Sequence, residues 1–239
     1  MSRLMTDYKI FHIGDSASTI DFGNYIREAL NKKVMTMQYW LQQHHFEGLK
    51  DIIIAYSSLS VIYDATQIKS RYKPEGTVFD FVRDKLSEAY EKSSIVDKDS
   101  LVKRIPVCYD PEVALDILFV ASEKNLEVAE IIKLHTSVIY RVYMIGFQPG
   151  FPYMASIDER IIIPRKEKPR AVVPSGSVGL AGSQTGIYPV DSPGGWQIIG
   201  RTPIKLFNRL KANSLIIKPG DRVQFYEINL KELDRLSKS

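Results

Sequence analysis

The chain has 239 residues, of which 44% are hydrophobic and 25% charged, and its formal net charge is +4 at pH 7. This composition is typical of a globular protein that buries an ordinary core. The charge is far below the clustered excess of nucleic-acid-binding proteins, and no segment reaches the roughly 18 consecutive apolar residues of a membrane-spanning helix. The bulk numbers therefore favour a protein with neither a nucleic-acid partner nor a membrane partner.

The single cysteine, Cys108, excludes an intramolecular disulfide scaffold. It lies in the strand-like run "RIPVCYD", where a cysteine usually serves as a small buried hydrophobic residue. The N-terminal segment lacks the apolar core of a signal peptide, and we expect a cytoplasmic protein. The most basic runs, "KSRYK" (69–73) and "PRKEKPR" (164–170), are predicted to be solvated loops.

Glycine and proline are spread unevenly along the chain. Residues 1–100 contain four glycines and one proline, whereas residues 101–239 contain ten glycines and eleven prolines. Such a shift in turn-forming residues indicates two domains of different architecture. We predict an α/β domain over 1–92, a polar linker over 93–100 and a β-barrel domain over 101–239.

The N-terminal part alternates strand-like and helix-like segments. "YKIFHI" and "SASTIDF" flank Gly14-Asp15 and predict a β-hairpin. "DIIIAY" and "LSVIYD" predict a second strand pair around Ser57-Ser58. Between the two pairs, from Asn24 to about Phe46, apolar residues recur every three or four positions. This spacing predicts an amphipathic helix with one buried face: Ile26, Leu30, Val34, Met37 and Leu41.

Thr77 is the predicted N-cap of a second helix. The apolar positions of this helix are Val78, Phe81, Val82, Leu86 and Ala89. Two helices against four strands would form a small two-layer α/β sandwich.

The C-terminal part opens with a predicted strand, "LVKRIPVCY". Asp110 followed by proline predicts a helix start, and helical patterns continue to about Thr136, with Asn125 as the cap of a second helix. Beyond "SVIYRVYMI" only short strand candidates occur: 161–163, 171–173, 177–181, 186–190, 196–200, 214–217 and 222–228. Many short strands separated by glycine and proline turns predict a closed or nearly closed β-barrel.

One run, "GFQPGFPYM" (146–154), concentrates two glycines, two prolines and three aromatic residues. It is too broken for a helix interior and too rich in proline for a central strand, so it predicts a shaped loop. The glycine-rich "SGSVGLAGSQTG" (175–186) has no lysine and matches neither a P-loop nor a dinucleotide site. It predicts a strand of small residues that a ligand or another part of the chain approaches closely.

Familiar catalytic signatures are absent, and no spacing of histidine and cysteine predicts a metal site. The loop-rich region nevertheless collects side chains suited to a small-molecule pocket. His135 is expected to titrate near neutrality, and Arg201 can bind a carboxylate or phosphate through two hydrogen bonds. Gln184 and Gln197 can pair with amides. The candidate apolar walls are Phe147, Phe151, Tyr153 and Trp196. Each residue also has a purely structural interpretation, as a hydrogen-bonding helix end, a turn anchor or a core aromatic.

The segments "GFQPGFPYM", "VPSGSV", "AGSQTGIYP" and "SPGGWQIIGRTP", in this order, resemble the allophanate hydrolase subunit 1 family. "GDSASTIDFG" and "YSSLSVIYD" are similar to its N-terminal domain, so the resemblance spans almost the whole chain. Three segments, "CYDPE", "YMA" and "PSGSVGLAG", depart from the family pattern and bear on the subfamily. The resemblance implies a ferredoxin-like N-terminal α/β sandwich and a cyclophilin-like C-terminal β-barrel.

The resemblance also implies site residues at positions that match the motifs. It implies a catalytic group of His135, Gln184 and Arg201. The implied substrate-binding residues are Gly146, Phe147, Pro149, Gly150 and Phe151, and Trp196 joins them as a candidate apolar wall.

The family includes the B-type component of a bacterial three-component 5-oxoprolinase, which converts 5-oxo-L-proline to L-glutamate with ATP. That role implies two partners, a second subunit (KipA-type) and a lactam-opening third subunit, with ATP and Mg²⁺ used by the complex and an isolated chain that is inactive. Arg201 would hold carboxylate or phosphoryl oxygens, Gln184 the lactam amide, and His135 a proton. The family also includes a kinase A inhibitor of sporulating bacilli, KipI. The alternative is therefore an inhibitor of a sensor histidine kinase, with the barrel as its protein-binding surface.

Overall fold

The computed structural model describes residues 7–94, 101–207 and 215–238. By their contacts the residues divide into two compact units, Met1–Lys98 and Asp99–Ser239. Each unit has its own core of buried apolar side chains. Most of the predicted linker 93–100 lies outside the described residues, and the predicted domain boundaries stay predictions.

The described part of the N-terminal unit contains four strands and three helices. In chain order these are β1 (Lys9–His12), β2 (Ala17–Asp21), α1 (Glu28–Gln43), β3 (Leu49–Ile54), β4 (Ser58–Tyr63), α2 (Ala65–Tyr72) and α3 (Val78–Lys92). The strands form an antiparallel sheet in the order β1-β2-β4-β3. The helices α1 and α3 pack against the sheet and against each other, and their buried faces meet those of the strands in one core.

Both predicted hairpins and both predicted helices of this unit are confirmed. Thr77 Oγ1 accepts a hydrogen bond from the Asp80 N–H at 3.1 Å, and the Asp80 carboxylate accepts one from the Thr77 N–H at 2.9 Å. This reciprocal capping fixes the start of α3. The predicted face of α1 is also buried, except that Ile26 lies before the helix and is partly exposed.

The helix α2 was not predicted, and it corrects the interpretation of "KSRYK" as a loop. Its start is fixed by Asp64, whose Oδ1 accepts a hydrogen bond from the Gln67 N–H at 2.9 Å. Lys69 to Tyr72 form its second half, and Lys73 ends it in the left-handed conformation. Only Ile68 of this helix is buried, so two turns carry too few apolar residues for a periodic signal.

The C-terminal unit is built around a closed barrel. Its described elements are β5 (Val102–Cys108), α4 (Ile117–Lys124), α5 (Val128–Thr136), β6 (Ile139–Ile145), β7 (Pro152–Ala155), a 3-10 turn (Glu159–Ile161), β8 (Arg170–Val173), β9 (Ser177–Ala181), β10 (Gln184–Ile187), β11 (Ser192–Gly194), β12 (Gln197–Arg201), β13 (Arg222–Ile228) and α6 (Leu230–Ser237). Seven strands close the barrel in the order β10-β7-β6-β13-β5-β12-β9, and β8 and β11 form a separate pair. The predicted barrel is therefore confirmed.

Strand direction divides the barrel into two ends. At the end that we call the loop end, β6 and β12 finish while β7 and β9 begin. The segments 146–151, 174–176, 188–191 and 202–207 connect strands there. At the opposite end, which we call the helix end, α5 leads into β6, and the 182–183 turn joins β9 to β10. The barrel interior is filled by alternate strand residues and by apolar residues of α4 and α5.

The predicted helix caps in this unit are wrong. Asp110 begins a turn, because its Oδ1 accepts from the Glu112 N–H and its carbonyl accepts from Val113 and Ala114. The helix starts later, at Ile117. Asn125 ends α4 in the left-handed conformation, which suits an asparagine after a helix, and α5 begins after Glu127.

Most predicted strands are confirmed, with two differences and two omissions. Residues 161–163 belong to the 3-10 turn and its exit, where Ile163 makes one isolated bridge to Gly182. In 214–217, Leu215 makes an isolated bridge to Phe207, and residue 214 lies outside the described residues. The strands β7 and β11 were not predicted. Pro152 is tolerated because it is the first residue of β7.

Candidate functional site at the loop end of the barrel

A cluster of aromatic rings packs on the outer face of the barrel beside the loop end. Phe151 is its centre, with ring centroids 4.7 Å from Tyr153, 5.1 Å from Tyr188 and 5.3 Å from Trp196. Phe151 and Trp196 are only 1% and 4% exposed. These two predicted substrate-binding residues therefore belong to a second, smaller core.

A pair of glycines lets these rings lie close to the strands. Gly179 on β9 and Gly186 on β10 are direct partners in the ladder. A Cβ on Gly186 would lie 2.8 Å from the ring of Phe151, and one on Gly179 would lie 3.0 Å from Trp196 Cβ. The group that approaches these two glycines of 175–186 is therefore the aromatic cluster of the protein itself.

The first half of "GFQPGFPYM" is the predicted shaped loop. The Gly146 N–H donates to the Phe151 carbonyl at 3.2 Å, and the Phe151 N–H donates to the Gln148 carbonyl at 3.0 Å. Phe147 has a φ of 64°, which is uncommon for a bulky side chain, and it is 60% exposed. Gly150 is buried and Pro149 exposed. The loop therefore gathers Gly146, Phe147, Pro149 and Gly150, and it presents Phe147 as its accessible aromatic ring.

Arg201 is the last residue of β12 and lies at the loop end, opposite Ser177 of β9. Its backbone neighbour Thr202 donates an N–H to the Gly176 carbonyl at 2.9 Å. The Arg201 side chain is partly exposed, but its Nε atom is enclosed and has no hydrogen-bond partner among the described residues. A guanidinium is permanently cationic in proteins, so this donor is available to an acceptor that enters the site.

His135, the last buried residue of α5, lies in the barrel interior near the helix end. Its Nδ1 is 2.7 Å from Tyr109 Oη, and its Nε2 is 2.9 Å from Thr185 Oγ1. Burial lowers the pKa of His135 to about 3. The expectation that this histidine titrates near neutrality is therefore wrong, because the closed interior disfavours the imidazolium form.

Gln184 starts β10 at the helix end and is partly exposed. Because Gln184 pairs with Ala181 and Arg201 pairs with Ser177, the two residues lie at opposite ends of β9. Four residue steps along a strand correspond to about 13 Å. The alternation of side chains also separates Gln184 from His135, since the adjacent Thr185 is the residue that contacts the histidine. The structure therefore does not bring His135, Gln184 and Arg201 together, and their catalytic roles stay predictions.

Comparison with known proteins identifies relatives along nearly the whole chain. Residues 8–217 match the family model described as "Carboxyltransferase domain, subdomain C and D". The chain belongs to this family. The resemblance to allophanate hydrolase subunit 1 proteins is thereby confirmed.

Two curated relatives carry the same name, that of the B-type component of a 5-oxoprolinase. The one from Bacillus subtilis (strain 168) is 38% identical over 231 residues, which cover 94% of this chain and 95% of that protein. The one from Escherichia coli O157:H7 is 41% identical over 152 residues, which cover 64% of this chain and 69% of that protein. Among solved structures, TTHA0988 superposes with a TM-score of 0.76 at 32% identity. The match covers 89% of this chain but only 40% of TTHA0988.

In this carboxyltransferase-domain chain the structure adds a buried ionic network that sequence reasoning missed. Asp116 is 3% exposed, and its carboxylate accepts two hydrogen bonds from Arg170, at 2.6 and 2.8 Å, and one from Lys166 at 3.0 Å. The Ile198 N–H donates a fourth at 2.7 Å. Burial alone would raise the pKa of Asp116, but these bonds together lower it. The run "PRKEKPR" is therefore anchored through Lys166 and Arg170, contrary to its prediction as a solvated loop.

The N-terminal unit carries a wide, open depression of about 650 Å³ around α2. Its lining is polar and includes the exposed ion pair between Arg71 and Glu47 at 3.0 Å. None of the predicted site residues lies there. No helix among the described residues is long and apolar enough to cross a membrane.

Proposed function

We propose that this chain is the B-type component of a bacterial ATP-dependent 5-oxoprolinase, which opens 5-oxo-L-proline to L-glutamate. The observation that carries the proposal is the match to the Bacillus subtilis 5-oxoprolinase component over almost the full length of both chains. The enclosed Nε–H of Arg201 supports it, because the substrate carboxylate is an acceptor that this donor can take.

The chemistry explains why the proposed reaction consumes ATP. Amide resonance makes the lactam carbon a poor electrophile. Transfer of a phosphoryl group from ATP to the lactam oxygen removes this resonance, so that water can then attack the carbon and the ring C–N bond can break. In this proposal Arg201 orients the substrate through its carboxylate or stabilises the phosphoryl oxygens. His135 acts as a positioning residue, because in the neutral form it connects α5 to Tyr109 and to β10.

The proposal places the nucleotide and its Mg²⁺ mainly on the partner subunits. Phosphate cradles need several backbone N–H groups that face a ligand. In the strands β9 and β10, which contain most of 175–186, backbone N–H groups are engaged in the barrel ladder, and rings cover Gly179 and Gly186. The isolated chain is accordingly expected to be inactive without a second, KipA-type subunit and a lactam-opening third subunit.

The fold classes implied by the resemblance are part of the proposal. In the N-terminal sheet, β2 and β3 are joined by α1, and β4 lies between them. This split β-α-β arrangement supports a ferredoxin-like unit. The seven-stranded closed barrel supports a cyclophilin-like unit.

The test is ATP-dependent release of glutamate from 5-oxoproline by this chain combined with its second and third subunits. A matched mixture that lacks only this chain is the control. Glutamate formed only in the complete mixture supports the proposal. No glutamate from a demonstrably assembled complex would contradict it, and binding to a sensor histidine kinase would then be tested.

The variant Arg201→Ala is expected to lose at least about 100-fold in kcat/KM for 5-oxoproline while its thermal unfolding stays close to that of the wild type. Arg201→Lys keeps the charge but loses the fixed planar donors, so it is expected to recover only part of the activity. Full activity of Arg201→Ala in the complex would remove Arg201 from the mechanism.

A further inference from the structure

Two enclosed polar atoms lie on directly opposed residues at the loop end. Ser177 is 0% exposed, and its Oγ has no hydrogen-bond partner among the described residues. Arg201 Nε is in the same condition. The two residues are direct partners in the antiparallel ladder between β9 and β12, so their side chains leave the sheet on the same face. They do not hydrogen-bond to each other.

The backbone around this pair is held on both sides. The Ser177 N–H donates to the Pro174 carbonyl at 3.2 Å, and its carbonyl accepts from the Tyr188 N–H at 2.9 Å. The neighbouring Gly176 has a φ of 81°, and a Cβ there would lie 2.3 Å from the Thr202 carbonyl oxygen. The same Cβ would lie 3.4 Å from Arg201 Cγ. A glycine is therefore required at 176 for the two strands to hold Ser177 and Arg201 at this distance.

Leaving such groups unpaired is costly. A buried hydroxyl or charged N–H without a partner loses the hydrogen bonds that it had in water, and native proteins retain few of them. Two on one register pair indicate a site that is completed by a ligand. The ligand must accept a hydrogen bond from the permanently cationic guanidinium, and it must also bond to a hydroxyl. An oxyanion, such as a carboxylate or phosphoryl group, meets both requirements.

We propose that Ser177 and Arg201 together form an oxyanion subsite at the loop end of the barrel, in which Ser177 Oγ and Arg201 Nε donate to the same carboxylate or phosphoryl group. This inference rests on the proposed function and deepens it, because the carboxylate of 5-oxoproline is one such oxyanion. It adds Ser177, a residue that sequence reasoning did not place in the site.

The test is direct binding to the full chain, measured by titration of ¹⁵N-labelled protein. The readout is the Arg Nε–H resonance that is missing from Arg201→Lys. The probes are 5-oxoproline, 2-pyrrolidinone, which is the same lactam without the carboxylate, and inorganic phosphate. We expect 5-oxoproline or phosphate to shift this resonance and 2-pyrrolidinone to leave it unchanged. Response to 5-oxoproline alone assigns the subsite to a carboxylate, and response to phosphate alone assigns it to a phosphoryl group.

Ser177→Ala is expected to weaken binding of the responding probe by about tenfold or more, because a hydrogen bond to a charged group is lost. The same variant should be as stable as the wild type or more stable, since the hydroxyl has no partner among the described residues. Ser192→Ala is the matched control. Ser192 is also buried, and its Oγ likewise lacks a partner in the described part of the chain, but it lies on the separate β8-β11 pair. This control should leave binding unchanged.

The proposal is overturned if neither anion shifts the Arg201 resonance, or if Ser192→Ala weakens binding as much as Ser177→Ala. Its failure is distinct from failure of the proposed function, which is measured as glutamate release by the complex. Oxyanion binding without glutamate release supports the subsite and contradicts the 5-oxoprolinase role. Glutamate release without any anion-dependent shift contradicts the subsite alone.

Discussion

Tyr109 and His135 share a hydrogen bond of 2.7 Å in the closed interior of the barrel. On the other side of the imidazole lies Thr185, and Phe225 stacks on the ring face with a centroid distance of 4.6 Å. The His135 carbonyl also accepts a hydrogen bond from Tyr140 Oη at 2.9 Å. One histidine thus connects α5 with β6, β10 and the residue that follows β5, and its lowered pKa keeps it neutral near pH 7.

This arrangement predicts an acid-sensitive fold. Burial lowers the pKa of His135 from 6.5 to about 3, so below pH 6.5 the unfolded chain binds a proton that the folded chain does not. Stability contributed by the neutral ring is complete above pH 6.5 and is lost as the pH falls toward 3, by at most about 1.4 kcal/mol per pH unit. Urea unfolding should therefore show a loss of about 2 kcal/mol between about pH 7.5 and about pH 5.

The variant His135→Gln tests the origin of this loss. Its amide can still bond to Tyr109 and Thr185, but it does not titrate. The variant is expected to be less stable than the wild type at neutral pH and to lose much less stability on acidification. An equal pH dependence in both proteins would assign the effect to other groups.

Replacing Asp116 by asparagine should destabilise the barrel domain. The change removes the charge that pairs with Lys166 and Arg170, while the cations keep their positions beside a buried amide. Breaking a buried pair by removal of one partner costs about 3–5 kcal/mol, and the partial exposure of both cations lowers this figure to about 2 kcal/mol. Chemical denaturation measures the difference. The exposed pair of Asp158 with Arg160 gives the control, and Asp158→Asn should change stability little.

Gly176→Ala is expected to disturb the loop end. A methyl group there would lie 2.3 Å from the Thr202 carbonyl oxygen, so the backbone that carries Arg201 must move. A loss of at least about 2 kcal/mol in unfolding free energy is expected, with weaker oxyanion binding. Gly182→Ala is the matched control, because Gly182 also has a positive φ but has no atom within 4 Å of the added Cβ. It should lose only about 1 kcal/mol and keep its binding. Equal losses would show that backbone conformation, and not the contact with Thr202, determines the result.

Phe147→Ala should separate function from stability. Its side chain is 60% exposed, so little buried area is lost, and alanine avoids part of the strain at a φ of 64°. We expect an unfolding temperature within a few degrees of the wild type and a clear rise in the KM of the reconstituted complex for 5-oxoproline. Phe151→Ala should instead unfold more easily by about 3–5 kcal/mol, because Phe151 is the buried centre of the aromatic cluster. An unchanged KM for Phe147→Ala would remove the ring from substrate binding.

Features that depend on neighbours along the chain could be predicted from the sequence. The two N-terminal hairpins, the buried face of α1 and the Thr77 cap were predicted correctly, because turn residues, apolar periodicity and capping are local properties. Cys108 was also placed correctly in a buried strand. Family motifs added the barrel and Arg201, since those residues are close in sequence to glycine and proline turns that fix the loops.

Contacts between residues far apart in the chain required the tertiary structure. Ser177 and Arg201 are 24 positions apart in the sequence, and their opposition depends on the register between β9 and β12. The same register puts Gln184 at the other end of the barrel, and strand alternation turns Thr185 toward His135. Burial then sets the protonation of that histidine and the pairing of Asp116, because both depend on the solvent that the closed barrel excludes. No local pattern carries this information.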